Sequence, residues 1–410
     1  MNFKFIHAAD LHLDSPLIGL ARKSAEFAVR VDDASRRAFD NLIALAIEEE
    51  CSFVLIAGDI FDGDWKDYTT GLFFADRMRK LQSADIKVFV ILGNHDADNR
   101  FAKRLDLSEN VHLMSQRKAE SVRLDDLGVV IHGRSFPQRE VTDNLAIEYP
   151  TAVPGKLNIG LLHTACTGRD GHANYAPCTV EQLTNHGYDY WALGHVHTRE
   201  VLQTDPYIVF PGNLQGRHPH ETGEKGATLV EVDDGKVVSA THRPLDVVRW
   251  SNEILDVSAA KDINALYTMA GKSMEAAYDG AGGRSLAFRL RFVGTTELHH
   301  ELVIESGSVR EELETVAANI APDIWIEKVE IATQPIKSQT ATDPTVAGKL
   351  LGLVDEVVAS DRMSELLEQK LTEVRIKMPA GAHVDELFEE IRSTALAGSR
   401  DLALSLIEKG

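Results

Sequence analysis

Cysteine is scarce in this sequence, and its three copies lie far apart. Cys51, Cys166 and Cys178 are odd in number among 410 residues. A disulfide framework or a zinc knot needs several closely spaced cysteines, so this spacing argues against both kinds of site. The low cysteine content predicts a cytoplasmic protein in a reducing environment.

Long apolar runs are also missing. No stretch of about 18 apolar residues occurs, and a membrane-spanning helix requires one, so no membrane association is predicted. The chain enters a strand directly at Phe3–Ile6, without the charged and apolar segments of a signal peptide. A composition of 44% hydrophobic and 26% charged residues is ordinary for a soluble globular protein, and the length predicts two or three domains.

Basic residues are fewer than acidic residues in this sequence. Lys and Arg total 43 against 63 Asp and Glu, which gives a formal net charge of −20. Because an acidic surface repels phosphate, an enzyme acting on nucleic acid would need metal ions or a local basic patch. No internal repeat or long low-complexity tract is evident.

Polar residues follow the first three predicted strands at the point where each strand ends. The strands and the polar residues after them are Phe3–Ala8 with Asp10 and His12, Phe53–Ala57 with Asp59 and Asp62, and Ile86–Leu92 with Asn94, His95 and Asp96. The intervening segments, about Asp33–Glu50 and Thr70–Ser83, have the apolar spacing of helices. The first hundred residues therefore predict a β-α-β-α-β unit, whose carboxyl edge is where ligands bind in open α/β sheets.

Two later strands end in histidines. Lys156–Leu162 precedes His163, and Tyr188–Leu193 precedes a Gly-His-Val-His run that contains His195 and His197. Two histidines that flank one residue at a strand end point the same way and can reach two neighbouring ions. Each of these motifs taken alone also suits a surface turn. Their repetition at successive strand ends favours a shared metal site.

Two hairpins and one helix cap are predicted as well. Ser121–Gly133 has the pattern of a hairpin, and Asp233-Asp234-Gly235 between two apolar runs is a strong turn signal. Thr179 and Gln182 have the spacing of a capping box at the start of a short helix.

In chain order the motifs read D-x-H, G-D-x-x-D, G-N-H-D, H and G-H-x-H. This succession, over roughly residues 3–245, resembles the calcineurin-like metallophosphoesterase superfamily. The phrases Tyr188–His197 and Gly212–His218 are similar to those of SbcD-type DNA-repair exonuclease subunits, in particular the bacterial YhaO-type branch. The resemblance implies a two-sheet α/β sandwich, a smaller α+β capping domain and a C-terminal helical tail.

The resemblance also implies a set of ligands. One cation would be held by Asp10, His12, Asp59 and His197, and a second by Asp59, Asn94, His163 and His195. Asp59 would then bridge the two cations. His95 would be the catalytic histidine that binds no metal, with Asp96 beside it to fix its orientation. Asp62 is expected to orient a ligand from outside the metal shell.

The residue types suit hydrolysis of a phosphodiester. Two cations about 3.5–4 Å apart supply a nucleophile at neutral pH and shield the phosphoryl oxygens. Mixed oxygen and nitrogen ligands favour Mn, with Fe or Mg as alternatives. Arg217 and His218 follow a strand end near this site and are candidate substrate-binding residues, with a structural loop as the alternative. His7 is expected to be a packed strand residue, and His299 and His300 are expected on the solvated face of a helix.

The composition changes beyond residue 245. We expect a metallophosphoesterase (nuclease) domain over 1–245, an α+β capping domain over 246–335, and a linker with C-terminal helices over 336–410. In the tail, Leu350, Leu351, Val354, Val357 and Val358 form an apolar stripe that must be buried against the chain itself, a second copy or a partner. In the resembled family such helices bind the coiled-coil root of an SbcC-like ATPase.

The predicted function is a two-metal-dependent DNA phosphodiesterase in double-strand break repair, acting as an exonuclease, with an endonuclease mode open. The expected partners are DNA and an SbcC-like ATPase, with a homodimer as a further option. The alternative is a general metallophosphoesterase for small or protein-borne phosphoesters. A scaffold with a vestigial site is disfavoured because every ligand position is present.

Overall fold

The computed structural model describes residues 1–15, 33–62, 68–97, 106–166, 174–336, 349, 352–354, 356–357, 359–376, 388 and 391. They form two compact units. The first unit consists of the described residues within Met1–Ser251 and Tyr278–Ala287. The second unit consists of the described residues within Asn252–Ala277 and Phe288–Gly410. The predicted boundaries at 245 and 335 stay predictions. Leu350, Leu351 and Val358 of the predicted apolar stripe, and positions 337–344 of the predicted linker, lie outside the described residues.

Fifteen strands are present in the described part of the chain. In order they are β1 (Phe3–Ala8), β2 (Phe53–Ala57), β3 (Lys87–Ile91), β4 (Val111–Leu113), β5 (Glu120–Leu124), β6 (Val129–Gly133), β7 (Leu157–His163), β8 (Tyr190–Gly194), β9 (Glu200–Thr204), β10 (Tyr207–Phe210), β11 (Gly226–Asp233), β12 (Lys236–Pro244), β13 (Val248–Asp256), β14 (Ser285–Thr296) and β15 (Ile324–Pro335). The α-helices are α1 (Ala34–Glu48), α2 (Thr69–Ser83), α3 (Asn94–Ala97), α4 (Val180–Asn185), α5 (Ile263–Gly280), α6 (His299–Ile304), α7 (Ser306–Ile320) and α8 (Asp361–Ile376). None of the described helices is long and apolar enough to cross a membrane.

Two six-stranded sheets form the first unit. The order of the first is β12-β11-β1-β2-β3-β4, with β1 to β4 parallel and β11 antiparallel to β1. The order of the second is β5-β6-β7-β8-β10-β9, in which β6, β7, β8 and β10 are parallel. The predicted two-sheet α/β sandwich is confirmed.

Apolar side chains fill the space between the two sheets. Phe5 stacks on Phe53 with ring centroids 4.8 Å apart, and it meets Tyr190 of the second sheet edge-on at 5.4 Å. A separate apolar cluster lies between the first sheet and helices α1 and α2, and another covers the far side of the second sheet around Trp191. Every residue of β2, β7 and β8 is buried, as expected for parallel strands covered on both faces.

The predicted turns are confirmed. Asp234 and Gly235 join β11 to β12 with φ angles of 48° and 73°, the left-handed pair that a two-residue hairpin turn requires. Strands β5 and β6 form the hairpin predicted over 121–133. The Thr179 side chain accepts a hydrogen bond from the backbone N–H of Gln182, and the Gln182 side chain completes the capping box.

A third sheet has the order β13-β14-β15, and helices α5 and α7 lie between its strands in the chain. The expected solvated position of His299 is wrong. Its ring is buried, and Nδ1 lies 2.9 Å from Thr333 Oγ1, because α6 is short and its first turn faces β15. In this sheet Arg289 of β14 forms an ion pair with Glu327 of β15 at 2.7 Å.

Candidate metal centre

The strand ends that carry the predicted ligands have unusual backbone geometry. Asp10, His12, Asp59 and His195 have φ angles of 51°, 42°, 52° and 102°, in the region that side-chain-bearing residues rarely adopt. Such conformations persist only where the surrounding contacts enforce them, and they concentrate at functional sites. Here the backbone N–H of His195 donates to both carboxylate oxygens of Asp10, at 3.1 and 3.0 Å. These contacts tie the end of β8 to the end of β1.

Three glycines allow the strand ends to approach one another. A Cβ atom on Gly194 would lie 1.9 Å from the carbonyl oxygen of Ala57, and one on Gly93 would lie 2.2 Å from Asp59 Oδ1. A Cβ atom on Gly58 would lie 2.5 Å from His163 Nδ1. Any side chain at these positions would push the predicted ligands apart.

The first cluster of ligand atoms combines β1 with the loop after β8. Asp10, His12 and His197 each offer one ligand atom, and these atoms all lie within 4.8 Å of one another. The Nε2 atoms of His12 and His197 are 3.2 Å apart, and His197 Nε2 lies 4.0 Å from Asp10 Oδ1. The Nδ1 atom of His12 is buried without a hydrogen-bond partner in the described chain.

The second cluster combines the ends of β2, β3, β7 and β8. Asp59, His163 and His195 form a group of the same size, and Asn94 Oδ1 lies 3.0 Å from His163 Nε2. Asp59 Oδ2 lies 3.4 Å from His163 Nε2 and 4.0 Å from His12 Nε2. One carboxylate oxygen therefore faces both clusters, which is the position that a bridging ligand requires.

These distances suit divalent cations. Two ligands of one cation with bonds of about 2.1 Å lie about 3.0–3.4 Å apart when adjacent and about 4.2 Å apart when opposite. The His12–His197, His163–Asn94 and His163–Asp59 separations of 3.2, 3.0 and 3.4 Å fall in the first range. The donor set of carboxylates, imidazoles and one amide oxygen fits a first-row divalent metal.

Hydrogen bonds on the far side of two imidazoles direct their Nε2 atoms into the clusters. His163 Nδ1 lies 2.9 Å from the carbonyl oxygen of Ala57, and His197 Nδ1 lies 2.6 Å from Glu221 Oε1. Since a carbonyl or carboxylate oxygen only accepts, the Nδ1 of each ring carries a proton, and Nε2 is the ring nitrogen that faces the cluster and would bind a cation. No motif in the sequence points to Glu221. Its only signal was an acidic residue close to the Arg217–His218 run.

His95 lies beside the clusters and is held by Asp62. Its Nδ1 atom lies 2.9 Å from Asp62 Oδ1, and the side chain is 30% exposed. The prediction that Asp96 fixes the orientation of His95 is wrong, and Asp62 has that position instead. Asp62 Oδ1 also lies 3.7 Å from His12 Nδ1, beyond hydrogen-bond range.

The Asp96 side chain supports the backbone of the loops that carry the site. Its carboxylate is fully buried and accepts hydrogen bonds from the backbone N–H groups of Ile60, Phe61 and Gly93, at 3.1, 2.9 and 3.0 Å. Burial and the neighbouring Asp59 carboxylate raise the pKa of Asp96 to about 7. The side chain thus joins the loop after β2 to the loop after β3.

Burial and neighbouring charge set the ionisation of the ligands. Burial opposes the ionised form of Asp59, but the charge and the hydrogen bond of the His163 imidazole outweigh it and hold the pKa of Asp59 below its usual range. Burial raises the pKa of Asp10 to about 6. Burial and the Arg217 guanidinium lower the pKa of His12 to about 3, so its ring is neutral and can bind a cation.

The two predicted substrate-binding residues lie at the rim of the site. Arg217 Nη1 lies 3.5 Å from both Asp62 Oδ2 and Ser15 Oγ, and Ser15 donates to Asp62 at 2.7 Å. His218 Nε2 lies 3.2 Å from Glu221 Oε1, so its ring faces the buried carboxylate. Their contact with a substrate stays a prediction.

Known proteins share both parts of this chain. Residues 3–199 match the calcineurin-like phosphoesterase family, and residues 250–334 match the middle domain of the metallophosphoesterase YhaO. The uncharacterized metallophosphoesterase YhaO of Bacillus subtilis is 33% identical over 373 residues, which are 89% of this chain and 89% of that protein.

More distant relatives are DNA double-strand break repair proteins named Mre11. The one from Methanopyrus kandleri is 24% identical and covers 97% of this chain and 83% of its own length. The one from Sulfurisphaera tokodaii is 25% identical over 244 residues, 56% of this chain and 59% of its own length. The near full-length match to YhaO, together with the motifs and the paired ligand clusters, establishes that the chain belongs to the calcineurin-like metallophosphoesterase superfamily and is a YhaO-like member of it.

Proposed function

We propose that the chain is a metal-dependent DNA phosphodiesterase, an exonuclease with an endonuclease mode, that acts in double-strand break repair. One observation carries this proposal. The match to the Mre11 protein of M. kandleri extends over 97% of the chain and is not confined to the metal-binding motifs. Hydrolysis of a small phosphoester needs little beyond those motifs, so similarity over the rest of the chain favours a macromolecular substrate.

The site residues have separate parts in the proposed reaction. When bound, two divalent cations supply a nucleophile at neutral pH and charge compensation for the phosphoryl oxygens. His95 donates an Nδ1–H hydrogen bond to Asp62, and the Nε2–H of its protonated ring supplies the proton that the leaving oxygen takes up. Burial opposes protonation of His95, but the hydrogen bond to Asp62 outweighs it and raises the pKa of the imidazole. Arg217 lies 3.5 Å from Asp62 at the rim of the site and is the proposed contact for a substrate phosphate.

A second candidate function is favoured by the charge of the chain. A net charge of −20 repels a polyanion, whereas a small phosphoester pays little electrostatic penalty. The alternative is therefore a phosphodiesterase or phosphatase for small or protein-borne esters. The identity of the metal also belongs to the proposal, with Mn expected from the mixed ligand set and Fe or Mg as alternatives.

One paired assay separates the two candidates. Release of nucleotides from end-labelled duplex DNA and hydrolysis of a small aryl phosphodiester are measured with Mn, Fe or Mg. The nuclease proposal predicts Mn-dependent release from DNA that is lost in His95→Ala and kept in His112→Ala, a matched variant of an exposed histidine outside the site. Hydrolysis of the small ester without any cleavage of DNA would support the alternative.

We also propose an SbcC-like ATPase as a partner of the C-terminal helices. Leu353, Val357, Leu366 and Val374 are exposed large apolar residues of the described tail, and a partner helix would bury them. A pull-down of a candidate ATPase should fail with Leu366→Glu/Val374→Glu. It should succeed with Ile147→Glu, which changes an even more exposed apolar residue in the first unit. Equal recovery with both variants would argue against this partner.

A further inference from the structure

Glu221 is a buried carboxylate that no motif assigned to the site. We propose that it is a positioning residue with two roles. It holds the His197 ring in the orientation of a metal ligand, and it stabilises the turn that contains Arg217. The inference rests on the two-metal site of the proposed function. It adds a residue outside the seven predicted ligands.

Both carboxylate oxygens of Glu221 have hydrogen-bonding partners. Oε1 lies 2.6 Å from His197 Nδ1 and 3.2 Å from His218 Nε2. Oε2 accepts from the side-chain amide of Asn213 at 2.8 Å and from the backbone N–H of Arg217 at 2.6 Å. The residue is only 6% exposed. A buried carboxylate is costly unless such donors surround it, so this arrangement specifies a charged acceptor at this position.

The Oε1 contact determines how His197 meets a cation. A carboxylate only accepts hydrogen bonds, so the proton of the neutral ring must lie on Nδ1 and the lone pair on Nε2. That Nε2 atom is the one 3.2 Å from His12 Nε2, in the first ligand cluster. Removing the acceptor frees the ring to rotate or to place its proton on Nε2, and either change removes a ligand.

The Oε2 contacts shape the substrate side of the site. They close the chain between Asn213 and Glu221, and this turn places Arg217 Nη1 3.5 Å from Asp62 Oδ2. Asp62 in turn holds His95. One buried carboxylate therefore links a metal ligand to the residue proposed to contact the phosphate.

Glu221→Gln tests the first role directly. Glutamine has the same size but carries no charge and only one acceptor oxygen, so His197 loses its carboxylate partner and the turn loses its acceptor. Titration of the metal-free full-length chain with Mn²⁺ should show two ions in the parent protein. In Glu221→Gln one of the two should bind about 10–100-fold more weakly, the usual effect of losing the partner of a metal-bound histidine. Glu224→Gln, three residues away and exposed, removes the same charge and should leave both affinities unchanged.

A second readout separates positioning from mere stabilisation. With excess Mn²⁺, Glu221→Gln should regain most of its kcat on a small aryl phosphodiester while KM stays raised, since the Arg217 turn remains loose. Glu221→Asp keeps the charge but is one methylene shorter. It should show the same weakened ion, and it provides the test if the glutamine variant does not fold.

Two results would overturn the inference. If the folded variants melt at a lower temperature in chelator yet bind both Mn²⁺ ions as tightly as the parent, Glu221 only supports the fold. If the parent chain binds no Mn²⁺ at these residues, the metal site itself is absent and the inference fails with it. Because the titration needs no substrate, its outcome does not depend on whether DNA is cleaved.

Discussion

Asp62 and His95 form a hydrogen-bonded pair in which the Oδ1 and Nδ1 atoms lie 2.9 Å apart. The two residues are separated by 33 positions and follow different strands, β2 and β3. The pair leaves His95 Nε2 as the ring nitrogen that can exchange a proton with substrate. Asp62 also accepts from Ser15 and lies near Arg217, so its position depends on three elements of the fold.

The first prediction concerns Asp62. Asp62→Asn should lower kcat about 10²- to 10³-fold on a small aryl phosphodiester, because His95 loses the charge that favours its protonated form. The content of bound Mn²⁺ should stay at the value of the parent chain. Asp126→Asn changes an exposed aspartate far from the site and should have no effect on kcat. A full kcat in Asp62→Asn would contradict the role given to the pair.

The second prediction separates Asp96 from Asp62. Asp96→Asn should destabilise the fold by about 3 kcal/mol, because an amide cannot accept from all three backbone N–H groups that the carboxylate serves. Urea unfolding of the metal-free chain measures the difference, with Asp62→Asn as the comparison. A loss of kcat in Asp96→Asn without loss of stability would restore the predicted role of Asp96 in orienting His95.

The third prediction is a pH dependence that comes from His7. Its ring lies between Tyr190 Oη at 2.9 Å and the carbonyl oxygen of Leu193 at 3.0 Å, and burial lowers its pKa to about 3. The unfolded chain, with a histidine pKa near 6.5, binds a proton that the folded chain excludes between about pH 6.5 and 3. Stability should therefore fall as the pH drops through this window, by about 2 kcal/mol from pH 7 to 5.

His7→Gln provides the control, since glutamine does not titrate. The free energy of unfolding of the variant should drop by about 2 kcal/mol less between pH 7 and 5 than that of the parent chain. If the free energy of unfolding had the same pH dependence in both proteins, His7 would bind a proton as readily in the folded chain as in the unfolded chain.

The fourth prediction tests the close approach of the strand ends. Gly194→Ala should cost about 3 kcal/mol or more, because its Cβ would lie 1.9 Å from the carbonyl oxygen of Ala57 in a backbone that cannot yield. Gly307→Ala adds a methyl group to helix α7 with no atom within 4 Å, and it should stabilise by about 0.5–1 kcal/mol. Thermal melting in chelator compares the two. An unchanged melting temperature for Gly194→Ala would mean that the sheets are not held as tightly as described.

Much of this architecture was predictable because it depends on local patterns. Buried parallel strands such as Phe53–Ala57 appear as short apolar runs, and each predicted ligand directly follows such a run. The sheet sets the direction of each strand end, so the residues after β1, β2 and β3 could be assigned to one edge of the first sheet. That the histidines at the ends of β7 and β8, in the second sheet, join them was implied by the resemblance alone.

The site and surface residues that were predicted wrongly or not at all have a common physical cause. Asp96 follows His95 in the sequence, but both lie on a helical turn, where adjacent side chains point in different directions. The partner of His95 therefore comes from another loop. Glu221 lies in an irregular loop, and its contact with His197 spans 24 positions that have no periodic pattern. His299 was assigned to solvent because a six-residue helix shows too little of its period.

The central claim is that two cations lie between these strand ends. Anomalous diffraction from crystals of the full chain grown with Mn²⁺ tests it most directly. The account predicts two peaks about 3.5–4 Å apart. One should lie among Asp10, His12 and His197, the other among Asn94, His163 and His195, with Asp59 between them. Peaks elsewhere, or none at these residues, would contradict the account.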